Sequence, residues 1–193
     1  HLGRCHWVKV YRMREAACSS SGKADLNLIE RQPDERPVAH VCVKDFDDRY
    51  VLMASDRGRI KKTPLSAYSH PRRDGIWAIR LEGDAELVGA RLTDGASEVM
   101  LAKRSGLANR FSESEVRPQG RHTMGVAGIR TPDDDRVVSM VVLDESSTIL
   151  TMSEGGYGKR TAIGEYRRTH RGGKGIINMR CTERTGPVIK VMA

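Results

Sequence analysis

Short apolar runs separated by turn-forming residues recur along the whole chain, and no segment keeps the 3.6-residue period of an amphipathic helix. Gly, Asp and Pro occupy the positions between runs, as in β-hairpin turns. The pattern therefore predicts an all-β fold, and the stretches at 64–68 and 112–116 are expected to be single helical turns. The runs lie at 50–55, 99–102, 137–142, 148–152 and 188–191.

The runs belong to an internal repeat. Gly58, Gly106 and Gly156 each follow an apolar run at intervals of 48 and 50 residues, and a weaker copy begins at Gly3, with Gly22 and residues 26–28 in the later positions. A second glycine opens the phrases GIWAIRL at 75–81, GVAGIRT at 125–131 and GIINMRC at 175–181. We divide this single repeat domain, residues 1–193, into units of approximately 1–46, 47–95, 96–145 and 146–193.

Four short strands in each unit of ~40–50 residues are typical of a propeller-like array. Neighbouring blades cover both faces of a blade, which explains why the runs are continuously apolar. A WD40 propeller is excluded because no Gly-His or Trp-Asp signature occurs at the repeat phase. The predicted core includes Trp77, Ile79, Val126, Ile129, Ile176 and Met179.

The chain carries 33 basic and 25 acidic residues, a net charge of +8, which makes a polyanion the first partner to test. Aromatic residues make up 5%, too few to grip single strands by stacking. No apolar stretch approaches membrane-spanning length, so no membrane partner is expected. The four cysteines form no CxxC pair, which favours reduced thiols in a cytoplasm.

The basic residues concentrate at one phase of the repeat, at 57–73, 103–121 and 159–174. Acidic residues fall in other turns, at 82–84, 133–135 and 144–145. One such basic cluster is ordinarily a solvated face, but three clusters in register predict a continuous positive edge suited to duplex DNA. The predicted DNA-binding residues are Arg59, Lys61, Lys62, Arg72, Arg73, Arg110, Arg121, Lys159, Arg160, Arg167, Arg168, His170, Arg171 and Lys174.

Several phrases resemble one family, the C-terminal domain of the DNA gyrase A protein, among the type IIA topoisomerases. The phrases are GGYGKRT at 155–161 with Glu165-Tyr166, GRIKKT at 58–63, KVY at 9–11 with Glu15-Ala16, and SEVR at 114–117. The resemblance covers essentially the whole chain. It implies a β-pinwheel, a propeller-like disc whose blades exchange a strand, with about four blades present.

The resemblance also implies a function. The domain binds and wraps duplex DNA around its outer edge without base specificity, and presents a positively writhed segment for ATP-dependent negative supercoiling. The implied partners are duplex DNA, gyrase B and the rest of the gyrase A protein in an A2B2 complex, in the bacterial cytoplasm at the nucleoid. No catalytic residue, metal or cofactor is expected in this chain, because the catalytic tyrosine and the use of ATP and Mg²⁺ lie elsewhere in the holoenzyme.

The family's hallmark is a box of the form Gln-Arg-Arg-Gly-Gly-Lys/Arg-Gly in the first blade. The nearest match here is the box-like loop of Arg171, Gly172, Gly173, Lys174 and Gly175, in the last unit. Glycines let backbone N–H groups approach phosphates, so the loop is a candidate DNA contact. The order of the units places the true box upstream of His1, and four units against the family's usual six suggest a fragment.

Two alternatives remain open. One is the corresponding domain of the A-type protein of topoisomerase IV, and the other is a propeller platform for an acidic protein partner. A propeller enzyme is disfavoured because no cluster of carboxylates or histidines recurs at blade ends. The acidic run at 133–135 is interpreted as a solvated turn in preference to a site for a hard cation.

Overall fold

The computed structural model describes residues 1–22, 28–30, 32, 34–144, 146 and 148–193. Residues 26 and 27 of the weaker repeat copy, and Glu145 of one acidic turn, lie outside this set. The described residues form strands that we number β1 Arg4–Cys5, β2 Tyr50–Ser55, β3 Arg59–Pro64, β4 Ile76–Trp77, β5 Leu87–Thr93, β6 Glu98–Lys103, β7 Leu107–Ser112, β8 Val126–Ala127, β9 Val137–Leu143, β10 Thr148–Ser153, β11 Gly158–Ala162, β12 Ile176–Ile177 and β13 Val188–Met192.

The strands pair antiparallel into small sheets, which confirms the all-β prediction. Two sheets have four strands, in the orders β5-β2-β3-β8 and β9-β6-β7-β12, and the others are β13-β10-β11 and β1-β4. Strand β9 lies against both β5 and β13, so these three strands form the inner edges of adjacent blades. The short strands β8 and β12 lie at the opposite edges and form the rim.

Each rim strand comes from the unit that follows its host. Strand β8 pairs with β3 of the preceding unit, β12 pairs with β7, and β4 pairs with β1. The register is equivalent in the three pairs, with Ile60 opposite Val126, Ala108 opposite Ile176, and Cys5 opposite Ile76. Consecutive units are thus joined through backbone hydrogen bonds as well as through side-chain packing.

The recurring glycines sit where the rim strands dock. The Gly106 carbonyl accepts hydrogen bonds from the N–H groups of Asn178 and Met179, and Gly58 and Gly3 repeat the arrangement with their own rim strands. Gly106 has a φ of +89°, and a Cβ there would lie 2.1 Å from the Met179 carbonyl oxygen. Only glycine fits this close approach, which explains why the repeat preserves it.

In the described part of the chain, short 3-10 helices accompany the strands at Val10–Arg12, Leu65–Tyr68, Glu113–Glu115 and Ile163–Glu165. The second and third confirm the helical turns predicted at 64–68 and 112–116. The last three each begin directly after the second long strand of a hairpin, β3, β7 or β11. They lead the chain from the hairpin of one unit toward the rim of the preceding blade.

The hydrophobic core lies between blades. Leu52 and Ile60 of one sheet pack with Leu101 and Phe111 of the next, all with no exposed surface. A second cluster joins the β6–β7 sheet to the last sheet in the same way. Of the predicted core, Ile79, Ile129 and Met179 are buried, but Trp77 is 45% exposed because it is the outward residue of rim strand β4.

Candidate nucleic-acid interface

The basic residue four positions after each repeat glycine points toward the next blade in the first two hairpins. The Lys62 ammonium donates to the carbonyl of Glu113, 3.2 Å away, and lies 3.9 Å from the Glu113 carboxylate. Burial raises the pKa of Glu113, while the Thr93 hydroxyl and Lys62 act to lower it. Lys62 is 4% exposed, so it ties two units together and is not available to DNA.

Arg110 makes the equivalent tie at the next seam. Its guanidinium donates to the carbonyls of Ile163 and Tyr166, each 2.9 Å away, and pairs with Glu98. Ile163 lies in the 3-10 helix of the following unit, and Tyr166 is the C-cap of that helix. Glu113, whose carbonyl accepts from Lys62, likewise lies in a 3-10 helix of the unit that follows Lys62. The burial of Lys62 contradicts its predicted place on the DNA-binding surface. The DNA contact predicted for Arg110 stays a prediction, with its guanidinium bound by the 3-10 helix of the neighbouring unit.

Lys61 is also internal. Its ammonium donates to the carbonyl oxygens of Ala78 at 2.5 Å and Arg121 at 2.6 Å, and the residue has no exposed surface. Asn109 occupies the same position in the next hairpin and donates to the carbonyls of Gly128 and His170. Lys61 was expected at the DNA surface; its position instead requires a donor that joins two rim segments.

The burial of Lys61 gives a pH prediction. Burial lowers the pKa of Lys61 from 10.5 to about 8, so between these values the unfolded chain binds more protons than the folded chain. Stability attributable to Lys61 therefore rises with pH across this window, by up to about 1.4 kcal/mol per pH unit. The free energy of unfolding of the parent, measured against Lys61→Met from pH 8 to 10, should show this gain.

The comparison with Lys61→Met is needed because two other buried groups act in the opposite direction. Burial raises the pKa of Cys5 to about 11 and that of Tyr68 to about 12, so both lower stability as pH rises. Both proteins carry these groups, and the difference isolates Lys61. A parent-minus-variant difference that stays flat over the window would contradict the assignment.

Two of the acidic turns hold a carboxylate that pairs with a basic residue of a hairpin. Arg57 pairs with Asp84 at 2.5 Å, and Lys103 pairs with Asp135 at 3.2 Å. Asp135 is 8% exposed: burial acts to raise its pKa, but hydrogen bonds from Ser105 and its other donors bring the pKa below its usual value. The interpretation of the whole 133–135 run as solvated is wrong for Asp135. Asp133 and Asp134 of the same run are exposed, so this turn is only partly paired.

Further basic side chains lie on the loops that precede the rim strands β8 and β12. The loops at 117–125 and 167–175 are equivalent. The backbone N–H of Gln119 donates to the carbonyl of Lys62, and that of Thr169 donates to the carbonyl of Arg110. Arg117 is exposed at the position equivalent to Arg167. It was absent from the predicted site residues, although its place two residues after a 3-10 helix matches that of Arg167.

The box-like loop is held against the preceding blade. The N–H of Gly172 donates to the Gly128 carbonyl, 2.7 Å away, so this N–H is not available to a phosphate. The Arg171 side chain donates to the carbonyls of Glu115 at 3.0 Å and Ala127 at 3.2 Å. Arg171 therefore anchors the loop, and the exposed Lys174 is the cation that the loop presents.

Most of the other predicted residues are exposed and differ in their ion pairs, and Arg121 is half-buried. Arg73 pairs with Glu30 and is 85% exposed, Arg59 lies 4.0 Å from Glu82, and Arg168 lies 3.6 Å from Glu98. His170 is 96% exposed beside Glu115. Within the described part of the chain, no side-chain hydrogen bond or ion pair involves the basic groups of Arg72, Arg121, Lys159, Arg160, Arg167 and Lys174.

Among the described residues, no group of three or more His, Cys, Asp or Glu side chains is arranged to hold a metal ion. None of the helices described is long and apolar enough to cross a membrane. The rim presents cations that have few acidic neighbours. Its segment at 166–175 contains four basic and no acidic residues.

Comparison with known proteins identifies the family. The model of the DNA gyrase C-terminal domain, described as a beta-propeller, matches residues 49–94, 104–144 and 147–192. The chain belongs to this family. The first and third matched segments contain the β2–β3 and β10–β11 hairpins, and the second begins directly after β6 and contains β7 and β9.

The relatives are DNA gyrase A proteins. That of Salmonella typhimurium is 41% identical over 188 residues, covering 97% of this chain and 21% of the relative. That of Helicobacter pylori is 40% identical over 194 residues, covering 99% and 24%. The chain thus spans about a fifth to a quarter of the length of these relatives.

Solved structures agree on the fold. A DNA gyrase A C-terminal domain matches with a TM-score of 0.85 at 23% identity, covering 100% of this chain and 62% of that one. The C-terminal domain of a DNA topoisomerase IV matches with a TM-score of 0.80 at 28% identity, covering 86% and 53%. The predicted pinwheel class is confirmed, whereas the unit boundaries and the number of blades stay predictions.

Proposed function

We propose that this gyrase-family domain binds duplex DNA along its rim and bends it around the disc. The observation that carries the proposal is the exposed cation set on equivalent rim loops, Arg117 on one and Arg167 and Lys174 on the next. These side chains have no ion-pair partner among the described residues, in contrast to the hairpin turns. Duplex DNA offers one phosphate per ~1.7 Å of axis, a spacing that a curved row of cations can follow.

The contacts in this proposal are made to the DNA backbone. Phosphate contacts position a protein on DNA without reading sequence, and no described helix is long enough to enter a major groove. Smooth bending by 40–90° costs on the order of 1–6 kcal/mol, which the summed phosphate contacts of several rim loops must offset. Bending therefore requires adjacent blades to act together.

Salt dependence tests the proposal. With six rim phosphate contacts the logarithm of the binding constant should fall with the logarithm of salt concentration at a slope of about −5. Fluorescence anisotropy with a labelled duplex of about 40 base pairs, titrated at several salt concentrations, measures this slope. A duplex affinity that does not change between about 50 and 200 mM salt would rule out binding through phosphates.

We place the domain in the gyrase A protein of a bacterial type II topoisomerase, where the DNA wrap supports ATP-dependent negative supercoiling with gyrase B in an A2B2 complex. The gyrase names of the curated relatives support this choice. The structural match to a topoisomerase IV C-terminal domain, at 28% identity, supports the paralogous protein of that enzyme as the second candidate. Both candidates share the rim as the DNA-binding surface.

A further inference from the structure

The repeated seven-residue phrase carries an exposed arginine at its sixth position in three units. The arginine directly follows a buried apolar residue and precedes the turn that leads to the inner strand. Its copies are Arg80, Arg130 and Arg180, none of which is among the predicted DNA-binding residues. Another position, that of Lys62, is also basic in three units, but its first two members bind carbonyls of the next unit. The arginine position is both basic and exposed in every copy.

The backbone places two of these arginines at seams, where the rim loop of one unit meets that of the next. The N–H of Arg80 donates to the carbonyl of Thr123, 3.1 Å away in the following rim loop. The N–H of Arg130 donates to the carbonyl of Gly173, 2.9 Å away in the loop after that. Thr123 and Gly173 are equivalent, so the two seams are built alike. Arg80 and Arg130 therefore lie between successive rim loops.

The side chain of Arg130 is oriented by the box-like loop. Its Nε donates to the carbonyl of Gly172, 3.2 Å away, two residues before the exposed Lys174. A guanidinium has five N–H donors, and this contact uses one of them. The two terminal nitrogens make no hydrogen bond or ion pair with any described residue. A guanidinium held at Nε with its terminal nitrogens exposed suits bidentate binding of a phosphate.

The carboxylates near Arg80 in the sequence are directed to other cations. Glu82 lies 4.0 Å from Arg59, and Asp84 pairs with Arg57. Arg80 is exposed and makes no side-chain hydrogen bond or ion pair with any described residue. Its charge is therefore not neutralised within the described part of the chain.

We infer that Arg80 and Arg130 are seam clamps, which bind backbone phosphates of the duplex where it passes from one blade to the next and so hold it in its bent path. The inference rests on the proposed function, because it adds contacts to the same rim. Bending brings phosphates on the inner side of the duplex closer together, and a cation between two loops reduces their mutual repulsion. The rim-loop cations, such as Arg117 and Arg167, fix the duplex on a blade, whereas the seam clamps fix its direction between blades.

Neutralising both seam clamps tests the inference. Arg80→Gln/Arg130→Gln should weaken binding of a duplex of about 40 base pairs about 20-fold at about 100 mM salt and reduce the salt slope by about 2. At saturating protein, energy transfer between dyes on the two ends of the duplex should rise by only about half as much as with the parent, because the bend is smaller. The matched control, Arg91→Gln/Arg104→Gln, has the same change in net charge away from the rim and should stay within about threefold of the parent affinity.

Arg80→Gln alone separates DNA contact from a role in the fold, because the Arg80 side chain makes no contact that the substitution breaks. It should weaken duplex binding about fivefold and leave the melting temperature unchanged. Unchanged binding by Arg80→Gln, together with a lower melting temperature of the double variant, would assign the arginines to the rim loops alone and overturn the inference.

The rim-loop variant Arg167→Glu/Lys174→Glu, measured in the same titrations, separates this inference from the proposed function. If the seam variant binds and bends the duplex like its control while the rim-loop variant binds weakly, the seam clamps are refuted and binding along the rim stands. If both variants bind like the parent, the proposed function fails together with the inference.

Discussion

Gly106→Ala is expected to destabilise the domain by about 3 kcal/mol. The left-handed backbone at Gly106 costs an alanine about 1–2 kcal/mol, and the new methyl would lie 2.1 Å from the Met179 carbonyl oxygen. Relief of this clash requires β12 to move away from β7, which costs about 1–3 kcal/mol more. Thermal unfolding should show a melting temperature lower by about 6–12 °C.

Gly156→Ala is the matched control. Gly156 has nearly the same backbone conformation, but the space beside it is open, so only the conformational cost of about 1–2 kcal/mol applies. The difference between the two variants measures the close approach of the rim strand. Equal losses of stability would show that the strand does not depend on the absence of a Cβ at Gly106.

Reversing Arg167 and Lys174 together is expected to weaken duplex binding about 100-fold at about 100 mM salt and to reduce the salt slope by about 2. Both side chains are exposed on one rim loop without a described ion-pair partner, so Arg167→Glu/Lys174→Glu removes two phosphate contacts and adds repulsion at two positions. Anisotropy titrations at several salt concentrations give the affinity and the slope, and thermal unfolding confirms that the variant is folded.

The double variant Arg91→Glu/Arg104→Glu carries the same change in net charge at exposed positions away from the rim. Arg91 lies on the inner strand β5, and Arg104 lies in a hairpin turn beside Glu154. The duplex affinity of this control should stay within about threefold of the parent, because it loses only the general electrostatic attraction that depends on net charge. If the two double variants bind DNA equally weakly, net charge and not the rim determines binding.

The strands and turns of this fold are predictable from the sequence because their causes are local. A short apolar run followed by glycine at a fixed offset predicts a hairpin. The same glycine marks the position at which a rim strand binds, as at Gly58 and Gly106. The exposure of Trp77 was not predictable from hydrophobicity, because a rim strand of two residues alternates between core and solvent. Its neighbour Ile76 faces the core and is buried.

The sequence does not separate the basic residues that are internal from those that lie on the rim. Lys61 and Lys62 are as basic as any rim residue, and only the partner carbonyls from other units reveal that they are internal. One signal was available: the position of Lys61 is filled by Asn109 in the next unit, where a hydrogen-bond donor is kept and the charge is not. Rim residues such as Arg117 and Arg167 keep the charge at equivalent positions.

The topology of circular DNA shows whether the domain wraps the duplex or only binds it. A nicked circular DNA is incubated with increasing amounts of the domain, sealed by ligase and freed of protein, and the linking number of the products is measured by gel electrophoresis. Wrapping predicts a shift in linking number that grows with bound protein and is lost in Arg167→Glu/Lys174→Glu. Saturating binding with an unchanged linking number would contradict wrapping and leave the domain as a DNA-binding surface that does not wrap.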